Sequence, residues 1–225
     1  MLLIAGGAAW SSALAETDLP RAVSPEINAY YHDADPERWA TVFERPGREL
    51  FDRRDQIVAA LELRQGMAVA DVGAGTGLFT MLIAADVGSD GRVYAVDISR
   101  PFVEAIRQRA AEAGLDQVIP VVNAQRDVAL PAASVDLIFL ADTYHHFEYP
   151  HLMLKSMFAA LRPGGTLALI DFRRLPGLSS NWIMSHVRAG RTRVIAEVEA
   201  AGFELIDEPL QLQGNYFLRF RRKAG

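Results

Sequence analysis

The sequence lacks cysteine in all of its 225 residues. Disulfides, a cysteine-ligated zinc site and thiol catalysis are therefore excluded for these residues. An excess of positive charge is also lacking, because 28 acidic residues outnumber 23 lysines and arginines and the formal net charge is −5. This balance argues against a protein whose main role is to coat nucleic acid, and we expect no nucleic-acid partner. A G-x-S-x-G nucleophile elbow is absent as well, which argues against an α/β-hydrolase.

Residues 1–15 are apolar and rich in small residues, but they lack the positive charge that usually precedes the core of a signal peptide. The stretch ends in Ala13-Leu14-Ala15, which fits a signal-peptidase site, and it is short for a transmembrane helix. A secretory signal, a membrane-proximal anchor and a mis-chosen start codon all fit. We expect no stable membrane insertion. An exported or periplasmic location follows only if the stretch is a signal, and otherwise a cytoplasmic one is expected.

Short apolar runs and segments with helical spacing alternate along most of the chain. Strands are predicted at residues 67–72, 92–97, 118–122, 135–141, 166–171, 203–207 and 215–221. Helices are predicted at residues 48–63, 78–87, 101–113, 150–161 and 188–201. Such alternation is typical of a parallel sheet with helices on both faces. We therefore predict an α/β fold with a Rossmann-like, doubly wound, seven-stranded sheet, mostly parallel with an antiparallel C-terminal strand pair.

The proline and aromatic residues before the first strand indicate a different kind of structure. Residues 16–65 are predicted to form an N-terminal helical cap or lid, and residues 66–225 to form the main domain. Trp39, in the predicted cap, can cover a bound substrate or simply pack in the core.

A glycine-rich loop follows the first predicted strand. Gly73, Gly75 and Gly77 stand at alternate positions between this strand and the next predicted helix. Glycine permits a tight turn and lets a ligand approach the backbone, and the start of the helix offers free N–H groups. Nicotinamide enzymes use the spacing G-x-G-x-x-G, whereas the third glycine here comes one residue earlier.

Asp97 ends the second predicted strand, twenty residues after Gly77. A carboxylate at this place can accept hydrogen bonds from both hydroxyls of a ribose. Nucleoside-binding enzymes of several kinds share this feature, so Asp97 indicates a nucleoside without identifying it.

Residues 66–165 resemble the class I S-adenosylmethionine-dependent methyltransferases, especially their small-molecule branch (methyltransferase type 11, UbiE-like). Beside the glycine loop and Asp97, the chain has Leu130-Pro131 before Ser134-Val135-Asp136-Leu137, and Ala160-Leu161-Arg162-Pro163-Gly164-Gly165 before the fifth strand. The resemblance implies S-adenosyl-L-methionine as the cofactor. It also implies methyl transfer to a small-molecule acceptor, by in-line attack of an oxygen, nitrogen or carbon nucleophile.

The resemblance also implies where the cofactor binds. Asp71 would contact its methionine end, Asp97 its ribose and Ile98 its adenine. The loop that borders methionine and ribose comprises Gly73, Ala74, Gly75, Thr76 and Gly77. Asn123, Gln125 and Arg126 would lie near the adenine amine, although the family often has Gly-Asp-Ala where this chain has Asn123-Ala124-Gln125.

The segment after the fourth predicted strand should lie at the carboxyl edge of the sheet, where open α/β sheets bind ligands. Asp142 is expected to contact cofactor or substrate, and His145 or His146 to act as a general base, with Tyr144 as a further catalytic candidate. Either histidine can instead merely pack beneath the loop. His145, His146, Glu148, His151 and His186 are also candidate ligands for a metal ion. No spacing such as H-E-x-x-H supports such a site, so we predict no metal.

Three further side chains follow the fifth predicted strand. Arg173, His186 and Arg188 can contact an anionic group of the substrate, or they can be solvated charges. Two other functions remain as alternatives: a methyltransferase acting on RNA or protein, and an NAD(P)-dependent oxidoreductase. The N-P-P-Y tetrapeptide of some nucleic-acid methyltransferases is absent, since Asp142-Thr143-Tyr144-His145 stands in its place. A cofactor-binding protein without catalysis is a third alternative.

Overall fold

The computed structural model describes residues 20–223. The predicted signal or anchor at residues 1–15 lies outside the described residues. Within residues 20–223, no helix combines the length and apolar character needed to cross a bilayer.

A single seven-stranded sheet forms the centre of the molecule, in the order β3-β2-β1-β4-β5-β7-β6. The strands are β1 (Ala68–Val72), β2 (Arg92–Asp97), β3 (Val118–Val122), β4 (Val135–Ala141), β5 (Leu161–Phe172), β6 (Phe203–Asp207) and β7 (Asn215–Arg222). The first five strands pair in parallel, and β7 is antiparallel to both β5 and β6. The predicted fold class is therefore confirmed.

Nine α-helices accompany the sheet in the described residues. They are α1 (Ala29–His32), α2 (Pro36–Phe43), α3 (Glu49–Asp52), α4 (Arg54–Ala59), α5 (Leu78–Val87), α6 (Arg100–Glu112), α7 (Pro150–Ala160), α8 (Asn181–His186) and α9 (Arg191–Ala200). Short 3₁₀ turns at Pro25–Asn28 and Tyr144–His146 precede α1 and α7. The strand order reverses between β1 and β4, and this switch point is where open sheets of this class bind ligands.

Two apolar clusters cover the two faces of the sheet. On one face, Met153 and Met157 of α7 pack with residues of α9 against alternate side chains of β4 and β5. On the other face, α4, α5 and α6 pack against the remaining side chains of the same strands. Ile57 of α4 belongs to this second cluster, so the predicted cap of residues 16–65 is divided. Its later part supports the sheet, and only its earlier part can cover a ligand.

Three predicted elements differ from the structure. The predicted helix at residues 48–63 is broken at Arg53, whose backbone leaves the helical region and whose side chain donates to the carbonyl of Gln211. The turn predicted at residues 162–165 is an irregularity within β5, where the register against β4 shifts. The helix predicted from residue 188 begins only at Arg191, because Val187 and the N-cap residue Gly190 both have extended backbone.

Candidate active site

A cavity of about 670 Å³ lies at the carboxyl ends of β1, β2, β4 and β5, beneath α1 and α2. Its floor is formed by the loops that leave these strands, and its roof by side chains of the N-terminal segment, among them Tyr31, Trp39 and Phe43. Tyr31 and Phe43 each flank Trp39, with ring centroids 4.9 and 5.0 Å from the indole. Trp39 therefore lies in the cover of the cavity.

The glycine loop needs glycine for two separate reasons. Gly73 has a φ of +74°, and a Cβ there would collide with the side chain of Thr143. Gly77 has a φ of +83° and caps α5, where a Cβ would lie 2.9 Å from Ile106. Left-handed backbone of this kind is costly for other residues. Gly77 does not line the cavity, so its part is to shape the loop that Gly73, Ala74, Gly75 and Thr76 present to it.

Asp71 is buried at the end of β1 and lines the cavity floor. The hydroxyl of Thr80 donates to its Oδ2 across 2.6 Å. Burial raises the pKa of the Asp71 carboxyl to about 7, although the hydrogen bond from Thr80 works in the opposite direction. A cation beside this carboxylate would favour its charged form. The site is therefore suited to an ammonium group.

Asp97 lies at the end of β2 and is also buried. The backbone N–H groups of Gly75 and Ser99 donate to its two oxygens, each across 2.8 Å. Burial raises the pKa of Asp97, and these backbone N–H groups oppose the shift. The hydrogen bonds hold the carboxylate against the glycine loop with its face toward the cavity, and each oxygen can accept a further hydroxyl.

The wall of the cavity beyond Asp97 has both apolar and amide side chains. It is lined by Ile98, Phe102 and Asn123, and the sequence had indicated Ile98 and Asn123. The Nε2 atom of Gln125 is buried and has no hydrogen-bond partner in the described residues. Buried polar atoms without partners are rare, so this one is a sign of a ligand acceptor. Arg126 lies elsewhere, with its guanidinium 4.2 Å from the ring centroid of Tyr149, and it does not line the cavity.

Ion pairs fasten the N-terminal segment over the cavity. Glu44, just after α2, accepts from the hydroxyl of Thr76 at 2.8 Å and from Arg109 at 2.7 Å. Arg48 donates to Asp142 at 2.7 Å, and Asn215 donates to the other oxygen of the same carboxylate at 2.6 Å. Asp142 and Thr76 line the cavity as predicted, but both side chains are partly used for these contacts.

Asp142 occupies an unusual backbone conformation, with a φ of +51°. Burial raises the pKa of its carboxyl to about 6, and the charge of Arg48 offsets part of this shift. The strained backbone and the two donors hold this carboxylate at the boundary between β4 and the cap.

Three imidazoles meet at the end of the cavity opposite Gln125. His145 and His146 belong to the 3₁₀ turn after β4, and His186 ends α8. His145 is 2 % exposed, and its Nδ1 lies 2.7 Å from Oδ1 of Asp171. Burial acts to lower the pKa of His145, but the charge and hydrogen bond of Asp171 raise it on balance. Burial lowers the pKa of His146 to about 2, with contributions from the neighbouring histidines.

Comparisons with known proteins identify the domain. Residues 69–165 match the model of a family described as a methyltransferase domain. A crystal structure of an S-adenosylmethionine-dependent methyltransferase from Aquifex aeolicus superimposes with a TM-score of 0.73 and 25% identity, covering 84% of this chain and 100% of that one. Residues 69–165 thus form a class I methyltransferase domain, and its cofactor is S-adenosylmethionine.

Relatives with assigned functions are similar to the methyltransferase domain over part of their length. The ubiquinone/menaquinone biosynthesis C-methyltransferase UbiE of Neisseria gonorrhoeae is 28% identical over 113 residues, which are 50% of this chain and 46% of that protein. The nocamycin O-methyltransferase of Saccharothrix syringae is 29% identical over 155 residues, 68% of this chain and 55% of that protein. The chain thus spans about half the length of the curated relatives it matches.

Besides Gly77 and Arg126, three predicted catalytic or substrate-binding residues do not line the methyltransferase cavity. Tyr144 is fully buried, and its hydroxyl donates to Glu197 at 2.7 Å. Arg188 also pairs with Glu197, through two hydrogen bonds of 2.7 and 2.8 Å. Arg173 uses its backbone N–H and carbonyl to hold the loop after β5. Tyr144 and Arg188 are thus held in the packing between α9 and the turn after β4. Their positions support neither the predicted catalytic role of Tyr144 nor the predicted substrate contact of Arg188.

Several residues that shape the site were not identified from the sequence. Glu44, Arg48 and Asn215 have no local signal, because each contacts a partner between 32 and 94 residues away. Asp171 is the penultimate residue of β5, at the ligand-binding edge that the sequence does indicate, but its pairing with His145 depends on the strand order. Of the other candidate metal ligands, His151 is exposed and Glu148 is paired with Arg21.

Proposed function

We propose that the protein transfers a methyl group from S-adenosylmethionine to a small-molecule acceptor. The observation that carries the proposal is the presence of Asp71 and Asp97 on the two sides of one glycine loop, in one covered cavity. One carboxylate suits an ammonium group and the other a pair of ribose hydroxyls. The cofactor supplies a methyl carbon already activated by a sulfonium, so the protein's task is to hold and align the reactants.

Each end of the cofactor has matching residues in this chain. Asp71 would accept hydrogen bonds from the methionine ammonium, and Asp97 from the ribose hydroxyls. Ile98 and Phe102 offer apolar contact for the adenine, and the unsatisfied Nε2 of Gln125 offers it a donor. Alignment of this kind can lower the barrier by roughly 7–11 kcal/mol at best when reacting atoms are held in line.

The acceptor would bind between the cap and the three imidazoles. Trp39 and Tyr31 wall this end on one side, and Phe172 and Trp182 wall it on the other. These rings suit an acceptor with an apolar body and exclude water from the sulfonium. Asp171 accepts from Nδ1–H of His145, which leaves Nε2 as the ring's acceptor of a proton. His145 is thus the better placed of the two predicted bases for an acceptor that carries a proton.

A small acceptor is favoured over a macromolecule for structural reasons. The ion pairs Glu44–Arg109 and Arg48–Asp142 hold the cap over the cavity. A nucleic-acid strand or a protein chain would have to displace the cap to reach the cofactor. The net charge of −5 does not favour nucleic acid. The names of both relatives, a ubiquinone/menaquinone biosynthesis C-methyltransferase and a nocamycin O-methyltransferase, agree with a small acceptor.

A transfer assay with isotopically labelled cofactor tests the proposal. The panel would contain phenols, carboxylic acids, amines and activated carbon acids, beside total RNA and protein. We expect label in an extractable small product, and loss of that label in the His145→Ala/His146→Ala double variant. Label only in RNA or protein would contradict the small-molecule proposal. Full turnover by the double variant would show that neither histidine is needed for the reaction.

A further inference from the structure

The three imidazoles of the cavity form a tighter group than general-base catalysis requires. The ring centroids lie 4.2 Å apart for His145 and His146, and each lies 5.2 Å from the ring of His186. One ring nitrogen from each residue lies within 4.8 Å of the corresponding atoms of the other two. Of the chain's five histidines, the other two, His32 and His151, are exposed elsewhere.

The surroundings of the cluster orient its rings. Asp171 fixes His145 twice, because one oxygen lies 2.7 Å from Nδ1 and the other accepts the backbone N–H at 3.0 Å. The indole of Trp182 stacks on His186 with centroids 4.6 Å apart and planes 20° apart. Metal-binding histidines commonly donate their second ring nitrogen to a carboxylate in this way, which fixes the tautomer and raises ligand basicity.

One ring nitrogen of the cluster has no hydrogen-bond partner. The Nδ1 atom of His146 is buried and unpaired in the described residues. An unpaired buried polar atom is unfavourable, and a bound water, ligand or ion can satisfy it. Because this atom belongs to a ring that packs against two other imidazoles lining the cavity, it is a second observation that points to a bound group at the cluster.

We propose that His145, His146 and His186 bind one divalent transition-metal ion, with zinc as the best match. Three imidazoles with an open fourth position are the ligand set of several catalytic zinc sites, and nitrogen ligands disfavour magnesium and calcium. Nitrogens bound about 2.1 Å from one tetrahedral ion lie about 3.4 Å apart, so the rings must move together by up to about 1.4 Å from their present separation of at most 4.8 Å. His186 can provide this closure by side-chain rotation, because it is only partly buried at the end of α8.

The cluster lines the cavity, so the fourth position of the ion would be open to water or to a polar atom of the acceptor. This inference concerns ion binding and does not depend on methyl transfer. A bound ion would occupy the lone pairs of the imidazoles, and His145 could then act as a base only in the ion-free protein.

Metal titration of chelator-treated protein tests the site. The probes would be zinc, in competition with a chromophoric chelator, and cobalt, whose visible absorption reports coordination by nitrogen. We expect one ion per chain for the wild type. His186→Ala should weaken binding at least tenfold, while His151→Ala, which removes an exposed histidine, should bind like the wild type. Asp171→Asn should weaken binding by roughly 10–100-fold without changing the stoichiometry, as loss of a partner of a ligating histidine does.

The same samples would be titrated with S-adenosylhomocysteine, which shows whether the cavity is folded. Absence of one-to-one ion binding in a sample that binds this nucleoside would overturn the metal site and leave the proposed methyl transfer intact. Equal ion affinity of His186→Ala and His151→Ala would overturn it too. The partly buried position of His186 makes this variant the safer test, should His146→Ala fail to fold.

Discussion

Asp71 is the residue at which ligand binding and stability oppose each other most clearly. Its pKa is raised to about 7 by burial, whereas the ordinary value is 3.8. A raised carboxyl pKa means that folding favours the protonated form. The contribution of the Asp71 carboxyl to the free energy of unfolding is therefore fully present below about pH 4. This contribution is lost as the pH rises through about 7. The charged form is useful only when a cation binds beside it.

Replacing Asp71 with asparagine separates these two effects. At pH 8, the cofactor-free Asp71→Asn variant should be more stable than the wild type by roughly 2–4 kcal/mol, because no charge is then buried. The gain should shrink toward zero at pH 4. Urea denaturation across this pH range measures it, with Asp90→Asn on an exposed loop as the control.

The same variant should bind S-adenosylhomocysteine more weakly at pH 8, by at least tenfold, because the partner of the ligand's ammonium has lost its charge. Calorimetric titration checks this outcome. Unchanged affinity in the Asp71→Asn variant would mean that Asp71 does not face the ammonium group.

At the scale of elements, the cap is the part of the molecule that local sequence describes least well. Its aromatic content predicted a cover over the cavity, and α1 and α2 form that cover. The prediction of one continuous helix at residues 48–63 was wrong. The helix is interrupted at Arg53, whose side chain donates a hydrogen bond to the carbonyl of Gln211, 158 residues away. Helical periodicity reports which side chains are apolar, but contacts of that range depend on the finished fold.

The contacts of Glu44 with Arg109 and Thr76 allow a test of whether the cap retains the bound ligand. Glu44→Ala removes the link from the end of α2 to the glycine loop and to Arg109. We expect affinity for S-adenosylhomocysteine to fall about three- to tenfold, a modest loss because the Arg109 side chain is 41% exposed. Stopped-flow measurement should show that the lower affinity comes from faster dissociation of S-adenosylhomocysteine.

Glu104→Ala is the matched control for Glu44→Ala, because Glu104 forms an exposed ion pair with Arg107 on α6. This variant should bind like the wild type. Equal behaviour of the two variants would show that the cap does not retain the ligand.

At the scale of the whole molecule, the sheet was the most predictable feature. The positions of all seven strands follow from short apolar runs, and the absence of a helix between the last two runs predicted their antiparallel pairing. The cluster of imidazoles was not predictable in this way. His186 lies 40 residues beyond His146, on a helix that the sequence did not reveal, and only the packing of α8 beside β5 brings the rings together.

The antiparallel pair should contribute to global stability rather than to binding. Phe220 lies on β7 between β5 and β6 and is fully buried. Phe220→Ala should lower the free energy of unfolding by roughly 3–5 kcal/mol, through lost apolar burial and a cavity. Ile206 lies on the edge strand β6 and is 40% exposed, so Ile206→Ala should lower the free energy of unfolding much less.

Urea denaturation compares the Phe220→Ala and Ile206→Ala variants. The folded fraction of each should bind S-adenosylhomocysteine with wild-type affinity, since neither residue lines the cavity. Similar stability losses in both variants would contradict the view that the C-terminal pair is part of the core.

The central claim is that the cavity binds the nucleoside of S-adenosylmethionine through Asp97. Its most direct test is calorimetric titration of S-adenosylhomocysteine into the wild type, Asp97→Asn and Asp116→Asn, an exposed aspartate outside the cavity. We predict one micromolar site in the wild type and in Asp116→Asn. In Asp97→Asn we predict a loss of at least tenfold, as expected when hydrogen bonds to a charged group are weakened by about 1.5–3 kcal/mol. A folded wild type that does not bind, or an Asp97→Asn variant that binds equally well, would contradict the account.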